Sequence, residues 1–130
     1  YEGAAIVGMW KVQLLAGGDV FDFGYQQWHS DGTEILNSGK RSPASENFCL
    51  GVWKKTGHDT YRLNHHALSY DPSTGLMNAM VNIHEYVTLD HDGNSFYGTF
   101  TVDVYTPQGV LIPPAHVEGT ITGVRVTADQ

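Results

Sequence analysis

Residues 62–70 read RLNHHALSY, placing two of the chain's seven histidines side by side. Imidazole titrates near neutral pH and can move a proton, orient a ligand or bind a metal. Which of these is open to His65 and His66 depends on the side each one faces. Neighbours on an extended strand point in opposite directions, so the two cannot share an ion. No HxH is present, the other histidines are scattered, and metal sites need three or four converging ligands. Neither a metal nor a cofactor is expected. The sharper oddity is Glu85 in NIHEYVTL, a carboxylate among Val, Ile and Tyr residues. If it faces inward it must be paired, protonated or wet. Tyr61 adds a phenol. Glu85 or His65 as base with Tyr61 as acid would make a proton-transfer set; the same three groups could instead hold the polar end of a bound molecule. No P-loop, GxGxxG, G-x-S-x-G or HExxH is present.

The elements that carry these groups are marked off by turn signals: AGGD at 16–19, SDGT at 30–33, KRSPASEN at 40–47, TGHD at 56–59, DPSTG at 71–75, DHDGN at 90–94 and TPQG at 106–109. Each supplies Gly, Pro, Asp or Asn where a reversal needs a special backbone angle. The segments between them are rich in Val, Ile, Thr, Tyr, Phe and Trp with period-2 alternation, as in FYGTFTVDVY, and no helical spacing is sustained. Eight strands joined by short connections predict an all-β, antiparallel, up-and-down meander. Such a sheet leaves two exposed edges unless it closes, so an eight-stranded β-barrel is expected over a Greek-key sandwich, whose crossings need longer loops. At 130 residues the chain is a single domain, 1–130.

Taking the more apolar set of each strand as the interior puts Trp10 inside on the first, Phe21, Phe23, Tyr25, Gln27 and His29 on the second, and Phe48, Leu50 and Val52 on the fourth. Tyr61, Leu63, His65 and Ala67 follow on the fifth, Val81, Ile83, Glu85 and Val87 on the sixth, and Phe96, Phe100 and Val102 on the seventh, with Gly123 and Arg125 on the last. His66 falls on the outer set with Arg62, Asn64, Asn82, His84 and Asp103, a reserve site should the phase be inverted. Large residues assigned outside, among them Met9, Trp28, Trp53, Leu68, Tyr86 and Tyr97, imply self-association into a homo-oligomer.

Gly8-Met9-Trp10 on the first strand and Gly123-Val124-Arg125 on the last carry a further signal. A G-x-W with an arginine near the end of the final strand resembles the lipocalin and wider calycin superfamily, and GVWKKTG with GTFTVDVYTPQG resembles bacterial lipocalin-like domains. The resemblance implies a Trp10 that plugs the barrel floor and an Arg125 packed over it, both structural, and a barrel that holds a small molecule. The chain has one cysteine, Cys49, and hence no internal disulfide.

Fourteen acidic against seven basic residues give a net charge of −7, which repels phosphate backbones, so no nucleic-acid partner is expected. No stretch approaches the roughly 18 apolar residues of a spanning helix, and no membrane span is expected. A first residue Tyr1 and the Gly-, Thr- and Tyr-rich composition lean toward a processed, secreted or periplasmic product. The leading expectation is binding of a small apolar or amphipathic molecule inside the barrel. Phe21, Phe23, Tyr25, Gln27, Phe100 and Val102 would line it, with Tyr61, His65 and Glu85 as polar contacts. The alternatives are an acid/base isomerase, cyclase or lyase using Glu85, His65 and Tyr61 in the same cavity, and a self-assembling structural subunit with a filled core.

Overall fold

Gly17 and Gly18 sit at φ of 59° and 84° between Ala16 and Asp19, which pair directly across the first hairpin. A two-residue reversal of this hand needs positive φ at both positions, and glycine supplies it without a Cβ clash. The computed structural model describes residues 4–130. Its strands are β1 (Gly8–Ala16), β2 (Asp19–Trp28), β3 (Thr33–Ser38), β4 (Cys49–Lys55), β5 (Thr60–Tyr70), β6 (Met77–Leu89), β7 (Ser95–Tyr105) and β8 (Val117–Val126). They form one closed antiparallel barrel in chain order. β1 and β8 complete the ring from Met9↔Val126 to Leu15↔Thr120. Closure satisfies the backbone groups that an open sheet would leave along two edges.

The two ends differ. At one end Trp10, Trp28, Trp53, Tyr61 and Phe96 stack edge to face, with centroids 4.9 Å apart for Trp10–Phe96 and 5.8 Å for both Trp28–Trp53 and Trp53–Tyr61. Rings at these separations and tilts attract beyond the area they bury. The Arg125 guanidinium covers this plug 4.3 Å from the Trp10 ring. It donates to the carbonyls of Ala5, Val7 and Gly93, binding the segment before β1 to the β6–β7 turn. A Cβ at Gly8 would come 2.6 Å from an Arg125 nitrogen, which explains why glycine stands two residues before the tryptophan. Glycines farther in make room for rings: Phe96 occupies the space a side chain at Gly123 would need, and Phe100 that at Gly119.

Two strands face the opposite way from the alternation reading. On β2, Asp22, Gly24, Gln26 and Trp28 are buried, whereas Phe23 (46% exposed), Tyr25 (45%) and Gln27 point outward. The cause is a bulge. Leu14 pairs with Asp22 but Leu15 with Val20, so Phe21 is an extra residue that turns inward while the pattern resets after it. On β4, Cys49 and Trp53 are buried and Leu50 and Val52 exposed, as is Phe48 just before the strand. Both faces of that strand are apolar, so alternation alone carries no phase. Trp53 decides it: its ring stacks on Trp28 and Tyr61, and its Nε1 donates to the His29 and Thr33 carbonyls at 3.1 Å each. Trp28 and Trp53 thus belong to the core and not to an outer patch.

Candidate functional site

Above the aromatic plug lies a layer of four polar side chains from four strands: Gln26, Glu34, His65 and Glu85, each at most 1% exposed. Register explains the meeting. Glu34 stands opposite Gly51, and Gly51 opposite His65, so the missing side chain on β4 lets a carboxylate on β3 reach an imidazole on β5. A Cβ at Gly51 would fall 2.5 Å from Glu34 Oε1. His65 Nδ1 lies 3.0 and 3.1 Å from the two Glu34 oxygens. A carboxylate only accepts, so Nδ1 carries the proton. Gln26 Nε2 donates to Glu34 at 2.9 Å and reaches the Glu85 oxygens at 3.4 and 3.5 Å.

The electrostatics follow from burial and from two carboxylates sharing one layer. Burial raises the Glu85 carboxyl, the negative charge of Glu34 adds to it, and the opposing pull of His65 and Gln26 leaves it at about 7. For His65 burial disfavours the imidazolium, but the Glu34 carboxylate outweighs it by charge and hydrogen bond, holding His65 above its ordinary value. The layer therefore retains protons that an unfolded chain would release.

At the other end the interior opens into a cavity of about 380 Å³. Phe21, Val81, Ile83, Val102, Val104 and Val117 form its walls, and Asp22, Arg41, Ser45, Glu46 and Ser69 its polar rim. The connection between β3 and β4 supplies most of that rim. Arg41 lies 4.9 Å over the Phe21 ring, donates to the Phe21 carbonyl at 3.3 Å, and approaches Glu46 at 4.0 Å. Asp22 accepts from Ser38 at 2.7 Å and from the backbone N–H of Phe23 and Lys40, fixing the base of the same connection.

The structure divides the expected site residues into three groups. Phe21 and Val102 line the cavity, and Phe100 supports Phe21 from behind at 5.6 Å. Phe23, Tyr25 and Gln27 lie on the outer surface, with His29 bonded to Gln27 and Thr33 there. Tyr61, His65 and Glu85 are inward as expected but do not line the cavity: Glu85 is one inward step below Ile83 on β6, and Tyr61 is part of the closed end. His65 faces Gly51 and Ile83, and Glu85 faces Leu63 and Phe100. Tyr61 and Glu85 form no pair. The carboxylate that engages His65 is Glu34, a residue outside the expected set.

Glu34 and Gln26 had no clear signal. TEILNS places one apolar residue on each face of β3, and Gln26 shares the face of Trp28, which the bulge reversed. Among the described residues no group of three or more His, Cys, Asp or Glu side chains could hold a metal ion. Comparison of the chain with protein-family models, curated proteins and solved structures gives no match.

Proposed function

We propose that this protein is a lipocalin-like binding barrel that takes one small amphipathic molecule into its open end. The observation that carries the reading is the cavity: apolar walls ending in a polar rim with Arg41 at its edge. Its volume of about 380 Å³ falls within the roughly 300–1,000 Å³ of small-molecule sites. Apolar walls favour burial of a hydrocarbon body, and rim groups satisfy the polar end without a desolvated charge. The body would pack on Phe21, Val81, Ile83, Val102 and Val104, and the head group would meet Arg41, Ser45 and Ser69. The Gly8-x-Trp10 and Arg125 seam, which resembles that of lipocalins, supports the kinship. Glu34, His65, Glu85 and Gln26 then act as a rigid layer beneath the ligand and not as its contacts.

The amphipathic dye 1-anilinonaphthalene-8-sulfonate tests this directly. Saturable one-to-one binding with a blue-shifted emission is expected. Val104→Trp, at a partly buried wall position, fills the cavity and should weaken that binding at least tenfold with an unchanged circular dichroism spectrum. Binding of equal strength in the variant, or none by the parent protein, overturns the reading.

A further inference from the structure

On the outside of the barrel, β4, β5 and β6 present a surface unlike the rest of this acidic chain. Of its seven Lys and Arg residues, Lys54, Lys55 and Arg62 lie on β4 and β5. Lys54 and Arg62 stand directly opposite each other in register. Like charges in facing positions repel, and among the described residues neither forms an ion pair with a carboxylate. Arg62 is held by the Tyr86 ring, 5.5 Å from its guanidinium carbon. Stacking of this kind leaves its N–H donors free.

The neutral groups beside them are oriented as donors too. Asn82 Nδ2 donates to the His65 carbonyl at 3.2 Å and to Asn64 Oδ1 at 2.7 Å. A backbone carbonyl only accepts, so the Asn82 amide has one possible orientation. That bond in turn occupies the Asn64 oxygen and leaves its NH₂ to face other partners. His84 stands opposite Asn64 on β6. Lys54, Arg62, Asn64 and His84 line one groove of about 260 Å³, with the exposed Val52 on its apolar side.

We propose that this outer groove binds a phosphate group. Arg62 and Lys54 supply the charge, Asn64 and His84 supply further hydrogen bonds, and no carboxylate lines the groove. A donor-rich, acceptor-poor set with one guanidinium fork complements a tetrahedral oxyanion. The bound anion would also relieve the repulsion between Lys54 and Arg62. Phosphate can arrive free or as an ester, and the exposed Val52 would meet an ester's organic part. The site is separate from the interior cavity and does not depend on it.

An ¹⁵N–¹H NMR titration with inorganic phosphate, at ionic strength held constant with sodium chloride, tests the assignment. Saturable shifts are expected at the amides of Lys54, Arg62, Asn64 and His84. Affinity should fall at least tenfold in Arg62→Gln and in Lys54→Gln, and remain in Lys11→Gln on β1 and in Val104→Trp in the cavity. Phenyl phosphate binding more tightly than phosphate assigns an ester as the ligand; equal binding assigns the free anion. Shifts that do not saturate, that chloride reproduces, or that persist undiminished in both groove variants overturn the proposal.

Discussion

Glu85 is an ionisable group kept where its charged form is disfavoured, and the cost of that placement varies with pH. An unfolded chain releases this proton near 4.5, whereas in the folded protein release occurs at about 7. Between those values the folded state holds a proton that the unfolded state lacks, so stability falls as pH rises through the window. The loss is on the order of 3 kcal/mol at about 1.4 kcal/mol per unit. His65, also raised, adds a loss of the same sign as pH climbs through its folded value. Glu85→Gln keeps an oxygen to accept from Gln26 and removes the titration. Urea denaturation at pH 5 and pH 8 should show a large fall in stability for the parent protein and a much smaller one for the variant, which becomes the more stable of the two at pH 8. Equal slopes in both proteins would place the titration elsewhere.

At the scale of elements, β4 illustrates how a strand positions chemistry by what it omits. Gly51 is the step over which Glu34 reaches His65, and a methyl group there would press on Glu34 Oε1, the Asn64 carbonyl and the Leu63 side chain, all within 2.9 Å. Gly51→Ala combines overpacking with displacement of a buried charged pair and should destabilise by about 3 kcal/mol, measurable by chemical denaturation. β4 also marks the limit of what alternation can reveal. The turn chemistry located all seven reversals, and closure followed from the short connections, so strand number, order and ring were legible. Faces were legible only where one side was plainly polar, as on β5 with Arg62 and Asn64 against Tyr61 and Leu63. Phe48, Leu50 and Val52 alternate with Cys49 and Trp53, and neither set is polar enough to be excluded from a core. The bulge at Phe21 was silent because it changes the count on one strand relative to another, and a single strand's pattern cannot record its partner's register. Glu34 was missed for a related reason: its role exists only once Gly51 and His65 stand beside it.

Across the whole molecule, the ring is as secure as its shortest seam. β3 and β4 share four paired positions, from Thr33↔Val52 to Leu36↔Cys49, fewer than any other adjacent pair. Cys49 stands at the end of that seam, 1% exposed, with its Sγ donating to Glu46 Oε1 at 3.1 Å. Burial and the neighbouring carboxylate push its thiol well above the ordinary range, so almost no thiolate exists to react. The cysteine therefore works as a latch indicator. A thiol reagent such as 5,5′-dithiobis(2-nitrobenzoate) should label it only in those moments when the β3–β4 clasp parts, at a rate set by the open population. Because the connection bearing Arg41 and Glu46 hinges on the same clasp, an occupant of the cavity should slow labelling by one plus the ratio of its concentration to its Kd. Prompt labelling, indifferent to the dye, would mean that the clasp stands open by itself. Slow, ligand-dependent labelling would let one sulfur atom time the breathing of the barrel and report what its mouth is holding.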